Sequence, residues 1–509
     1  MTKSYRPGWE IPAVWKFFMS PLRSVFLPWI PLLLVLQAAI VGAAAPRPNI
    51  VLILSDDHSV PHVGAFGSPN AKTPALDAFA AQSMRFHRAH TTAPQCAPSR
   101  GSIFTGRSPI ANDSTRFTQP ARAEHPFFTD VLRKHGYWVG LDGRTHHLSG
   151  RRGGADHEVE ALTAAGLNYL EDRFDHIRLG GPQNGEGFAA ALDKVPAGKP
   201  FFLYFGFSQP HRGYPPPPPE HADMFVPAKL KLPPDFPDLP ELRADYARYL
   251  YKVYRLDRGF ASVMDVMEKR KLTQNTIVVF MGDNGEALLR GKGTLYQRGT
   301  NIPLMVRWPG VVAAGSRSDI LVSGEDIGPM LLDAVGLTAP SSMTGLSFVP
   351  ALKGRPFKGR EYVYTERGWH WGPITRTDGL DLSRAIITDR YKLIYNLLPE
   401  RPYHPVDMGR DEVWRELVDA NKANKLSAVH QRLIFPQPQR PIFELFDLQN
   451  DPFEMTNLSG KKEVAEIETN LRIALAKWMV REGDYLPIPS LKYPAHHEFS
   501  VFHDKPRSE

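Results

Sequence analysis

The sequence predicts an α/β fold: a mixed or mostly parallel sheet sandwiched by helices, then a smaller antiparallel sheet and a closing helix. Three observations predict it. Short apolar, β-branched runs end abruptly in polar residues, helix-periodic stretches lie between them, and after about residue 355 the pattern changes to spaced strands. At 509 residues with 42% hydrophobic content, the chain can bury a large core.

Residues 1–45 stand apart. Lys3, Arg6, Lys16 and Arg23 precede an apolar stretch over 25–41 that closes in Gly42-Ala43-Ala44-Ala45. This reads as a signal peptide, with an uncleaved anchor as the alternative because the run is interrupted by Pro28 and Pro31. An exported protein, periplasmic or secreted, is the expectation. Without these residues, which carry four basic groups and Glu10, the formal charge drops from +7 to +4. No basic run or aromatic-interleaved patch points to a nucleic-acid partner.

Residues 46–355 read as the larger unit, the one that carries the polar strand ends. Run 49–54 (NIVLIL) ends in Ser55-Asp56-Asp57-His58, and run 275–281 (NTIVVFM) ends in Gly282-Asp283-Asn284-Gly285. Run 201–207 (FFLYFGF) leads into Gln209-Pro210-His211, and run 137–141 (YWVGL) into Asp142-Gly143-Arg144-Thr145-His146. Uninterrupted apolar runs are expected of parallel strands buried on both faces. Ligand-type residues at their carboxyl ends sit where open α/β sheets carry their sites. Helices are expected over 74–83 and 242–269, and the proline run 215–219 is expected to form an extended surface excursion.

Residues 356–509 read as a C-terminal subdomain. Strands are expected over 361–365, 384–396 and 443–448, then a helix with Ile467, Leu471, Leu475 and Trp478 on one face. Stretch 401–440 lacks periodicity and has no assignment. Trp369 and Trp371 could wall a sugar site, although burial in the core is the commoner fate of such residues.

The polar strand ends have a chemistry. Asp56, Asp57, Asp283 and Asn284 offer hard oxygen ligands, which suit Ca²⁺ or Mg²⁺ and argue against zinc. Either pair alone is an ordinary turn or cap; two pairs at matched strand ends shift the balance to a metal. Export permits disulfides, yet the chain has one cysteine, Cys96, which excludes an intramolecular bridge.

Cys96 stands in Cys96-Ala97-Pro98-Ser99-Arg100-Gly101, followed by Thr105-Gly106. This motif, with the Asp56-Asp57 segment, Asp283-Asn284-Gly285, Gly291-Lys292-Gly293-Thr294 and 443–452 (FELFDLQNDP), resembles the formylglycine-dependent sulfatases of the alkaline phosphatase superfamily. The resemblance implies an alkaline-phosphatase-like fold and hydrolysis of a sulfate ester, on a sulfated small molecule or polysaccharide. It implies that a maturation enzyme oxidises Cys96 to formylglycine, and that Asp56, Asp57, Asp283, Asn284 and modified Cys96 hold a metal, calcium ahead of magnesium. It further implies that Arg100 clamps the modified residue, Lys292 contacts sulfate, His211 acts as acid and His146 as base. Arg144 stands where many sulfatases have lysine, a planar fork in place of a point charge, and His147 leaves the histidine register open. His58, His62 and Arg88 are weaker candidates. A phosphonate or phosphate-ester hydrolase and an inactive polysaccharide-binding protein are the alternatives.

Overall fold

The computed structural model describes residues 47–490 except 118, 150–159, 162–163, 166–169 and 371–378. The expected leader and Trp371 therefore lie outside the described residues.

The four apolar runs become β1 (Asn49–Ser55), β4 (Trp138–Asp142), β6 (Phe201–Gly206) and β7 (Thr276–Gly282). They are neighbours in one sheet. Its order is β5-β4-β6-β1-β7-β8-β2-β9, where β5 is His176–Arg178, β8 Leu304–Arg307, β2 Met84–Phe86 and β9 Arg317–Ser318. β5, β4, β6, β1 and β7 run parallel, and β8 is antiparallel to both its neighbours. A short parallel pair, β3 (Ala89–His90) with β10 (Val322–Ser323), lies outside it.

Why β1 is apolar throughout follows from the pleat, because successive side chains point to opposite faces. Ile50, Leu52 and Leu54 pack with Phe104, Phe128, Ile327 and Leu331 on one face, while Val51 and Ile53 pack with Phe79, Phe188, Phe260 and Val263 on the other. Helices Cys96–Thr105, Phe128–Lys134 and Ile327–Ala334 supply the first layer; Pro74–Ala80, Gly185–Leu192 and Pro240–Lys269 supply the second. Each fully buried aliphatic or aromatic side chain contributes about 1.5–3 kcal/mol, so sandwiching both faces is what fixes this sheet and its strand ends.

The second sheet is antiparallel, β11 (Val363–Arg367), β12 (Ser383–Ile387), β13 (Tyr391–Asn396) and β14 (Phe443–Asp447) in sequence order. The closing helix, Ala465–Glu482, lays Leu471, Leu475, Trp478 and Met479 against Ile386, Leu393, Phe443 and Leu445. Two details differ from expectation. Stretch 384–396 is a hairpin, because the Thr388 hydroxyl accepts from the amides of Arg390 and Tyr391 and turns the chain. Stretch 401–440 contains helices Glu412–Lys422 and Ala428–Ile434, the first burying Val413, Trp414, Leu417 and Ala420. The proline run carries no regular structure until Pro219–His221, and its residues are half-buried or exposed. Among the described residues, no helix is long and apolar enough to cross a membrane.

Candidate active site

The carboxyl ends of β1 and β7 are tied together, the amide of Asp283 donating to the Ser55 carbonyl (3.0 Å) and that of His58 to the Asn284 carbonyl (2.8 Å). The amide of Asp56 donates to the Gln209 carbonyl beyond β6 (3.0 Å). Asp57 leaves the strand with φ 64°, a left-handed conformation that Asp tolerates better than most residues. Strand geometry would send Asp56 and Asp57 to opposite faces; this turn lets both carboxylates meet one centre. Gly285 lets the chain after Asn284 pass close to the Arg298 carbonyl, with which a Cβ there would collide.

Cys96 is the first residue of helix Cys96–Thr105, every residue of which is buried. Its Sγ lies 3.3 Å from Asp56 Oδ1 and 3.8 Å from Asp57 Oδ1. One turn on, Arg100 donates from Nε (3.0 Å) and Nη2 (2.8 Å) to Asp283 Oδ2, sits 3.7 Å from Asp56 Oδ2, and also reaches the Tyr204 hydroxyl. Lys292 Nζ lies 2.9 Å from Asp57 Oδ1, and Arg144 pairs with Asp56. Asp283 Oδ1 accepts from the amides of Asp57 and Asn284. The structure thus brings Asp56, Asp57, Cys96, Arg100, Arg144, Asp283, Asn284 and Lys292 to one centre.

Burial dominates the electrostatics. It pushes the Cys96 thiol well above its ordinary range, with Asp56 adding to the effect, so the unmodified thiol is a poor nucleophile. It raises Asp283 to about 6 against the opposing pull of Arg100. For Asp56, burial also raises the value, but Arg144, His211, Arg100 and Lys292 outweigh it and hold the carboxyl low.

The donor set fits a hard divalent cation. Asp56, Asp57, Asp283 and Asn284 are fully buried, and Asn284 Oδ1 receives no hydrogen bond among the described residues. Two groups of potential ligands share Asp56: it joins Cys96 and His147 in one, and Asp57 and His211 in the other, with ligand atoms within 4.8 Å of one another. Buried carboxylates plus an unpartnered amide oxygen are an oxygen cage of the kind calcium takes.

His211 Nε2 lies 3.8 Å from Asp57 Oδ2, and Nδ1 faces the Arg212 carbonyl at 2.9 Å. Of the adjacent histidines, His147 is buried with Nε2 4.0 Å from Asp56 Oδ2, and His146 is half-buried with its ring 4.0 Å from that of His147. Burial, then Arg144, holds His147 well below the usual histidine range, so its ring is neutral. His58 and His62 support the strand end. His58 contacts the Ser55 hydroxyl (3.1 Å) and is lowered to about 3 by burial, while His62 faces Glu286 at 3.3 Å. Tyr249 beside His62 donates to the Asp57 carbonyl. Arg88 lines a separate surface pocket with Asp319 and Arg360.

Asp407 escaped the sequence reading. It comes from the unassigned 401–440 stretch, yet its Oδ2 lies 2.7 Å from Lys292 Nζ, and Lys292, His370 and His211 hold its carboxyl low despite burial. No motif marks it.

Residues 48–337 match the family model "Sulfatase", and 285–434 match "N-sulphoglucosamine sulphohydrolase, C-terminal". An ulvan-active sulfatase of Formosa agariphila is 29% identical over 476 residues, covering 92% of this chain and 88% of that protein. Human N-sulphoglucosamine sulphohydrolase is 27% identical, covering 87% and 92% respectively. In fold, the chain resembles a solved structure in complex with D-glucosamine-2-N,6-O-disulfate, with a TM-score of 0.62 and 19% identity, covering 87% of this chain and 100% of that one. With the sulfatase model spanning more than half of the sequence and the expected strand ends meeting at Cys96, the chain belongs to the sulfatases of the alkaline phosphatase superfamily and is a sulfuric ester hydrolase.

Proposed function

We propose that the protein is an exported hydrolase of sulfated saccharides, acting through a formylglycine made from Cys96 and a calcium ion held by Asp56, Asp57, Asp283, Asn284 and the modified residue. The observation that carries the reading is Cys96 Sγ, fully buried 3.3 Å from Asp56 with Arg100 one helical turn behind. A thiol held neutral there is a poor nucleophile; an aldehyde hydrate at the same position would offer two hydroxyls, one to attack and one to drive release. The relatives' names, an ulvan-active sulfatase and an N-sulphoglucosamine sulphohydrolase, support a saccharide substrate, and the basic, apolar-flanked leader supports export.

In the proposed reaction one hydroxyl of the hydrate gives its proton to the neighbouring Asp56–Asp57 carboxylates and attacks sulfur, and the bond from sulfur to the ester oxygen breaks as that oxygen takes a proton from His211. The His146–His147 pair then takes the proton of the second hydroxyl. The carbonyl re-forms, the C–O bond to sulfate breaks, and inorganic sulfate departs without a second attack on sulfur. Bound calcium supplies charge stabilisation for the sulfuryl oxygens. Arg100 and Arg144 neutralise the acids beside the modified residue, and Lys292, gripped by Asp407, meets the sulfate.

The test is release of inorganic sulfate from sulfated glycosaminoglycan and ulvan fragments and from an aryl sulfate, with and without chelator. Cys96→Ala and chelation are each expected to abolish release. Preferential turnover of a phosphonate monoester, or full sulfate release by Cys96→Ala, would overturn the reading.

A further inference from the structure

One residue along the chain from Lys292, a second cavity opens. Gly293 has φ 79°, and a Cβ there would meet Val406 and the guanidinium of Arg367. Arg367 in turn lines a cavity of about 280 Å³ between the C-terminal sheet and the 432–441 segment. Exposed Arg432, Gln437 and Gln439 also line it.

The charges on this cavity do not cancel. Its cations are Arg367, Arg432 and Arg440, and its acids Asp381 and Glu444. Asp381 is taken in a bidentate pair by Arg440, at 3.0 and 2.8 Å. Glu444 accepts from the Tyr296 hydroxyl (2.9 Å) and Asn396 Nδ2 (2.8 Å), and burial raises its pKa. Neither acid pairs with Arg367 or Arg432.

Arg367 is the telling residue. It is 2% exposed, and it spends one nitrogen, Nη2, on the Gly379 carbonyl at 3.2 Å. Nε and Nη1 have no acceptor among the described residues. Burial lowers its pKa to about 10, whereas the comparably buried Arg384, paired with Asp484, is raised by its acids against the same burial. Its backbone is fixed in β11 opposite Ser383, and its carbonyl accepts from Arg384 Nη1, so it cannot follow its charge to solvent. A buried guanidinium with idle donors is costly unless an anion completes it. A cavity of this size, lined by amide and hydroxyl groups besides, fits one sugar ring carrying an oxyanion.

We propose that this cavity is an accessory binding site for the carboxylate or sulfate of a saccharide unit, separate from the cluster around Cys96. The saccharide part rests on the proposed function; the oxyanion part rests on Arg367 alone. Guanidinium is suited to either oxyanion, and only direct binding separates a uronate from a sulfated sugar.

The experiment titrates the full chain carrying Cys96→Ala, which needs no turnover, with methyl glucuronide, methyl glucoside 6-sulfate and neutral methyl glucoside by calorimetry. At least one anionic glycoside is expected to bind saturably and the neutral one not. Arg367→Met is expected to weaken binding about tenfold or more, the loss of a charge-assisted contact. Arg432→Ala, a surface change that leaves the fold intact, is expected to weaken it less while leaving aryl sulfate turnover of the Cys96-bearing protein unchanged. Equal binding by both arginine variants and their parent, binding of the neutral glycoside as tightly as the anions, or no saturable binding at all would overturn the proposal. Aryl sulfate turnover tests the sulfatase reading independently, so the two fail separately.

Discussion

Glu366 lies on β11 opposite Arg384, fully buried, with neither carboxylate oxygen hydrogen-bonded among the described residues. Burial raises its pKa from 4.5 to about 8; Arg384 opposes the shift but is already engaged by Asp484, and Asp484 and Glu482 reinforce it. Between pH 4.5 and about 8 the folded protein therefore keeps a proton that the unfolded chain has lost. The folded state binds more protons across that window, so stability falls as pH rises, by about 1.4 kcal/mol per pH unit and about 5 kcal/mol in all. Glu366→Gln keeps the shape and removes the titration, though its amide needs partners and costs about 1–3 kcal/mol. Urea unfolding of both proteins over a pH series from about 5 to 9 measures the difference, in which the other titrating groups cancel. The expected result is a variant less stable than the parent at the acid end and more stable at the alkaline end. Parallel pH profiles for the two would show that Glu366 does not hold a proton across this range.

Other outcomes follow from the site. Gly285→Ala drives a Cβ into the Arg298 carbonyl, so it is expected to cost about 1–3 kcal/mol and to weaken calcium binding, read by calorimetry; an unchanged melting curve would contradict this. Asp407→Asn removes the carboxylate that holds Lys292 at 2.7 Å and is expected to lower kcat/KM for aryl sulfate about tenfold or more, with activity recovered best by Glu; a full-rate Asn variant would remove Asp407 from the site. Single replacement of His146 or His147 by Ala is expected, for at least one of the two, to trap the sulfated form of the modified Cys96, visible by mass spectrometry after one turnover. Its absence in both variants would show that neither ring is the base.

Legibility followed local pattern. β1, β4, β6 and β7 were readable because burial on both faces writes an unbroken apolar run, and their polar ends were readable because the metal-type residues follow at once. β2, β5, β8 and β9, two to four residues long, were too short to carry a period. The 383–396 hairpin was hidden by a turn made by a threonine hydroxyl instead of glycine or proline. Asp407 was illegible for another reason: its partner Lys292 is more than a hundred residues away, and no local pattern links the two. The choice between His146 and His147 turns on one short helical turn, His146–Ser149, whose register no pattern in the sequence sets.

Everything proposed for the site depends on Cys96 working as an aldehyde. Mass spectrometry of the tryptic peptide 89–100, from active protein made in its native host and treated with a carbonyl-reactive hydrazide, tests it most directly. The expected peptide lacks the thiol and carries the hydrazone at residue 96, in proportion to specific activity. An intact thiol at Cys96 in fully active enzyme would contradict it.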